Sequence, residues 1–216
     1  MSDWFSNKEK VLTMALIIFY IIGAVGISIQ VDFARLTPFN LIITGFILFY
    51  LHPNKDILFF LNLFFVFVAA WFLEMIGTNT GIIFGSYKYG DSLGLKLNQT
   101  PIIIGLNWII VAYSSIVCVD ALAKKLNFKI HEIVGAIIAA IFMVILDVLI
   151  EPVAPKLNFW AFENLQVPVQ NYTAWFFFGF AFCYWMLKGG LLKPNPMATK
   201  VLAIQALFFL YLNLSL

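Results

Sequence analysis

The stretch IVGAIIAAIFMVILDVLI, Ile133 to Ile150, carries a single charged side chain, Asp147, and its apolar and polar positions do not alternate. Such a segment belongs in hydrocarbon, where no water is available to bond the backbone and the chain must satisfy its own N–H and C=O groups. A helix does this within one segment, whereas a closed barrel does it between strands that alternate. Six further runs share the pattern: Val11 to Ile29, Leu36 to Leu51, Ile57 to Ile76, Pro101 to Val119, Tyr172 to Leu187 and Ala198 to Leu214. The expected fold is all-α, a polytopic integral membrane helical bundle of about seven transmembrane helices, in a single transmembrane domain over residues 1–216. Composition agrees, because only 11% of residues are charged against about 25% in soluble domains.

The first run exceeds the roughly 7–15 residues of a signal-peptide core and no small-x-small cleavage site follows closely, so it reads as a retained helix. The second falls short of a full crossing by length, since 16 residues at ~1.5 Å rise give roughly 24 Å against a hydrocarbon core of about 30 Å. Basic residues orient the bundle. With the N-terminus inside, inner segments carry Lys8, Lys10, Lys55, Lys124, Lys125, Lys129, Lys188, Lys193 and Lys200, and outer ones carry only Arg35, Lys88, Lys96 and Lys156. The positive-inside rule then predicts a multi-pass protein of the inner (cytoplasmic) membrane, with its N-terminus cytoplasmic and its C-terminus outside. Both long loops, residues 77–100 and 151–171, fall on the outer face, where turn-rich loops tend to build sites.

Polar residues converge at that same depth. Glu74 lies about 26 Å from the inner end of its run. Asp147 and Glu151 are spaced i, i+4 on one helical face, as are Asn171 and Trp175. Asn107 and Trp108 fall about two turns into the fourth run. An acid at a membrane helix centre costs roughly 2.5–3.5 kcal/mol on insertion scales, so intramembrane carboxyls point to a functional site. The plain alternative is that each acid snorkels to the interface or caps a helix. Trp108, Trp160, Tyr172 and Trp175 equally suit an aromatic belt, and for Trp160 the belt is the simpler reading. Trp71, one turn before Glu74, and Trp175, one turn after Asn171, each set a ring beside a polar group.

The inventory excludes several chemistries. With only His52 and His131, neither deep in a run, the sequence lacks the histidines of di-iron desaturases and of haem sites. No lysine lies well inside the last run, which disfavours a retinal protein. Cys118 and Cys183 sit in apolar runs without CxxC spacing and read as packed small hydrophobes. A net charge of +2 is no nucleic-acid footprint.

What remains is carboxyls, amides, tyrosines and tryptophans in an apolar body, which suits acid catalysis on a hydrocarbon. A carboxyl buried beside another keeps its proton at neutral pH. Delivered to a trisubstituted alkene, that proton yields a tertiary carbocation, which aromatic faces stabilise by roughly 0.5–2 kcal/mol each.

The residues Glu74, Ile76, Gly77, Thr80, Gly81, Phe84, Gly85, Tyr87 and Tyr89, then Leu93, Gly94, Pro101 and Asn107-Trp108, resemble the membrane carotenoid biosynthesis proteins that include CruF-type carotenoid 1,2-hydratases. Asp147, Glu151-Pro152, Trp160, Pro168, Asn171-Tyr172 and Trp175 continue the resemblance, which spans roughly residues 70–185. It implies addition of water across the terminal double bond of an acyclic carotenoid end group, that of lycopene or of a monocyclic carotenoid, with no organic cofactor and no redox step. On that footing Asp147 or Glu151 donates the proton and Glu74 partners it or orients water. Asn107 and Asn171 hold the water, Trp108 and Trp175 face the cation, and Tyr87 and Tyr89 order water or line the polyene end. A membrane lycopene cyclase shares the protonation step, but the Pro-x-Glu-Glu type motif of that family is missing. A transporter or lipid-binding protein with the same acids is the reading from another class.

Overall fold

The computed structural model describes residues 2–216. Seven α-helices follow one another: α1 (Ser2–Ile29), α2 (Thr37–Tyr50), α3 (Ile57–Thr80), α4 (Ile103–Lys125), α5 (Glu132–Ile150), α6 (Val169–Lys188) and α7 (Pro196–Ser215). The second crossing is longer than the sequence suggests. A 3-10 turn, Val31–Leu36, leads straight into α2, and together they make a 20-residue apolar segment, Val31–Tyr50. Among the described residues six helical segments are long and apolar enough to cross a membrane. The remaining one, α6, carries Gln170, Asn171, Thr173 and Lys188, and its packing on α5 is the most extensive of any helix pair. Small residues make that approach possible, with Gly135, Ala136, Ala139 and Ala140 on α5 and Gly179 on α6; close packing of this kind is what associates helices in lipid, where burial alone gives no drive.

Helix α4 is the centre of the bundle and touches α2, α3, α5, α6 and α7. Its approach to α3 depends on Gly105, where a Cβ would fall 2.7 Å from the Phe67 carbonyl oxygen. A neighbour that is backbone cannot swing aside, so any larger residue there pushes the two helices apart.

The polar end of α3 stops at Gly81, which takes the left-handed conformation (φ +67°) that a side chain disfavours, and its N–H closes on the Gly77 carbonyl. Beyond it the two long loops are stitched together. Strand β1 (Tyr87–Tyr89) pairs antiparallel with β4 (Trp160–Phe162), setting Tyr87 opposite Phe162 and Tyr89 opposite Trp160. A smaller ribbon, β2 (Lys96–Leu97) with β3 (Thr100–Pro101), folds the rest of the first loop back on itself.

At the other end of the bundle a second polar cluster is built from one buried histidine. His52 Nδ1 lies 2.7 Å from the Tyr113 hydroxyl, and Asn195 donates to that hydroxyl (3.2 Å) and to the Leu48 carbonyl (2.9 Å). Burial first, then the charges of Lys55 and Lys193, lower His52 to about 4, so the ring is neutral at physiological pH. This cluster ties the end of α2 to α4 and to the start of α7.

Candidate active site

Two elements, β1 and α4, deliver three donors to one carboxylate on α3. Glu74 is 3% exposed, and its Oε2 accepts hydrogen bonds from the Tyr87 hydroxyl (2.6 Å) and the Tyr89 hydroxyl (2.7 Å). Its Oε1 accepts from Trp108 Nε1 at 2.7 Å. The geometry follows from the backbone. Side chains on a helix lean towards its N-terminus, and α3 and α4 are antiparallel, so Glu74 and Trp108 lean towards each other. In β1, residues two apart share a face, which aims both tyrosines at Glu74 and turns Lys88 away. Burial, and then the Glu74 carboxylate, hold both phenols well above the usual tyrosine range, so at neutral pH they act as donors.

The second cluster sits on α5 and α6. Asn171 Nδ2 donates to Asp147 Oδ2 at 2.7 Å and to Glu151 Oε1 at 3.1 Å, bridging the i, i+4 pair. Trp160 Nε1 donates to Glu151 Oε2 at 3.1 Å. Asp147 is 1% exposed, and its Oδ1 is buried without a hydrogen-bond partner among the described residues.

A cavity of about 20 Å³ lies between the two clusters, walled by Glu74, Tyr87, Tyr89, Glu151, Asn171 and Trp175, with Trp160 and Ile104 beside them. Glu151 therefore faces the space, whereas Asp147 stands behind it. The ribbon is what holds the halves together, because β1 carries the tyrosines of Glu74 and β4 carries the tryptophan of Glu151.

The other residues singled out by the sequence take different places. Trp108 and Trp175 stack on each other at 4.0 Å with planes 13° apart, so each covers one face of its neighbour. Only Trp175 borders the acid cavity. Asn107 borders a separate cavity, as a residue adjacent to Trp108 must, since neighbours on a helix point about 100° apart. Trp71 packs on Phe72, and its Nε1 has no hydrogen-bond partner among the described residues. Trp160, read from sequence as part of an aromatic belt, instead bonds an acid; Phe84, quoted above only for the family resemblance, and Phe162, which no sequence signal marks, line the cavity. Among the described residues no three His, Cys, Asp or Glu side chains come together to hold a metal.

Fold and site together define a multi-pass helical membrane protein with a buried centre of three carboxyls. Residues 37–215 match the sequence model of the family described as carotenoid biosynthesis protein, and the chain belongs to that family. A role in carotenoid biosynthesis follows. The matched residues take in α2 to α7 and the whole acid centre and leave out α1. No match was found among curated proteins or among solved structures.

Proposed function

We propose that the protein is a carotenoid 1,2-hydratase, which adds water across the terminal double bond of an acyclic carotenoid end group such as that of lycopene. The observation that carries this reading is the cavity between Glu74 and Glu151. At about 20 Å³ it exceeds the ~10–15 Å³ that one water needs, and it is walled by acids on both sides with aromatic rings between.

Glu151, facing the cavity, gives its proton to C2 of the end group. A C2–H bond forms as the π bond breaks, and the tertiary cation is left at C1. The free face of Trp175 lies against that charge. Water held by Asn171 and Glu74 then bonds C1 through oxygen and loses one proton to the Glu74 carboxylate, whose three donors fix it as an acceptor. That proton returns to the Asp147–Glu151 pair, so each cycle consumes one alkene and one water. Asn171, bonded to both carboxyls, keeps them in position, and Asp147 shares the proton from behind.

Pigment analysis by mass spectrometry in a lycopene-making host tests the reading. The expected product is heavier than lycopene by one water and keeps its chromophore. A product of unchanged mass with a shifted spectrum means cyclisation, and no new pigment means the acids serve binding or transport.

The rate should also depend on pH, most clearly on the alkaline side. Burial is the main cause that raises the Glu151 carboxyl to about 7; the Trp160 N–H opposes it and the charge of Glu74 adds to it. The acid form of Glu151 is the active one, so kcat/KM is expected to fall about tenfold per unit above pH 7, and to fall again in acid once the Glu74 carboxylate that accepts the proton of water is itself protonated. A rate that climbs steadily to pH 9 in detergent contradicts a Glu151 donor.

The distribution of basic residues supports an outward-facing site, since only Arg35, Lys88, Lys96 and Lys156 lie at the acid end. Labelling of a Leu216→Cys variant in intact cells by an impermeant maleimide checks this orientation; protection from the label contradicts it.

A further inference from the structure

The acid cavity is the innermost of three adjoining spaces. Ile104 and Trp160 wall it off from a second cavity of about 50 Å³, which Asn40, Asn107 and Gln205 border on its polar side. The far side of that second cavity is closed by Tyr20 and Phe208, an edge-to-face pair with centroids 5.4 Å apart and planes at 89°. Those same two rings form the inner wall of a groove of about 430 Å³ between α1 and α7, whose other walls include Ile17, Ala24, Ile204 and Leu207.

The groove has fixed ends. On one side of it Lys200 Nζ meets Glu9 Oε1 at 2.6 Å and Thr13 Oγ1 at 3.3 Å. On the other side Ser28 Oγ meets the hydroxyls of Tyr211 and Ser215, each at 3.3 Å. Together these contacts tie the two helices to each other at both ends of the gap. Between them the residues are apolar and open to lipid.

We infer that the α1/α7 groove is the route by which the hydrocarbon arm of the substrate reaches the acids sideways from the bilayer, with Tyr20 and Phe208 as its inner threshold. The identity of the occupant rests on the hydration reading. A long linear polyene dissolves among lipid chains and not in water. At the acid end a cavity of about 440 Å³ also shares Tyr87 and Phe162 with the acid cavity, but Thr78, Asn79, Ser86, Lys88 and Glu163 line it and suit water, whereas the α1/α7 groove is apolar, opens to lipid and shares walls, step by step, with the acid cavity. Gln205 marks the middle of the route. It is 3% exposed, and its Oε1 has no partner among the described residues. A buried acceptor of this kind is satisfied by a hydroxyl donor, which the alcohol product carries and the alkene substrate lacks.

The test uses the full chain purified from a lycopene-making host. Ala24→Trp fills the groove, and Val148→Trp adds the same bulk on the lipid face of α5, where Val148 is 47% exposed. Two properties are read: the lycopene that copurifies, and conversion of lycopene and of a short isoprenoid alkene with the same end group. Ala24→Trp is expected to lower both lycopene retention and lycopene conversion by about tenfold or more. Conversion of the short alkene stays within about twofold, since only the long arm needs the groove. Val148→Trp matches the parent. Retention of lycopene by Ala24→Trp at the parent level overturns the route, as does equal loss of long and short substrates, a like effect of Val148→Trp, or a parent that retains no lycopene. Lycopene held by the parent and lost in Ala24→Trp, with no alcohol formed by either, rejects hydration and leaves the route standing.

Discussion

Replacing both Asp147 by Asn and Glu151 by Gln is expected to lower alcohol formation by at least about 10³-fold, the upper range for loss of a positioned acid, while leaving the protein folded. Asp147→Asn keeps an oxygen to accept from Asn171, whereas Glu151→Gln keeps one oxygen for either Asn171 or Trp160 and sets its NH₂ towards the other, so the cluster loses one hydrogen bond together with its transferable proton. The singles should differ. Glu151→Gln removes the carboxyl that borders the cavity and takes most of the effect, whereas Asp147→Asn removes its partner behind. Product measured by chromatography, with the melting temperature in detergent as control, gives the answer. A double variant that still hydrates at a tenth of the parental rate would place the proton elsewhere.

Glu74 gives the second large effect, and two substitutions separate its chemistry from its structural part. In Glu74→Gln the side-chain oxygen can still accept from Trp108 while the amide N–H₂ turns to the tyrosines, whose hydroxyls rotate to accept. Folding should therefore change little, but the acceptor for the proton of water is gone, and a loss of about 10²-fold or more in turnover is expected. Glu74→Ala leaves the Trp108 N–H and both phenols without their acceptor. Each buried orphan costs about 1–3 kcal/mol, so this variant should melt markedly earlier as well. Equal turnover in Glu74→Gln and the parent removes Glu74 from the path of the water.

The helices were legible because lipid leaves the backbone few options, and runs such as Ile133 to Ile150 admit only one of them. The second crossing read short because its first turn, Val31–Leu36, carries Asp32 and Arg35 and interrupts the apolar run. At the site, Glu74, Asp147 and Glu151 were visible through the cost of burying an acid. Their partners were not equally so. Tyr87 and Tyr89 meet Glu74 through a three-residue strand whose partner is about seventy residues on, beyond any periodicity. Trp160 looked like an interfacial ring because tryptophan at that depth needs no other explanation. Asn107 stood next to Trp108 in sequence, and on a helix adjacency separates two side chains.

The threefold hold on Glu74 also bears on how the protein is made. Tyr87 and Tyr89 follow it by 13 and 15 residues, but Trp108 lies 34 residues further on. At roughly 5–20 residues per second of synthesis, that gap lasts a few seconds. Through this interval α3 holds an acid towards its C-terminal end with no indole to receive it, at a cost below the roughly 2.5–3.5 kcal/mol of an acid at helix centre. Release of α3 alone into lipid is thereby disfavoured, and α3 and α4 are expected to leave the insertion machinery as a hairpin.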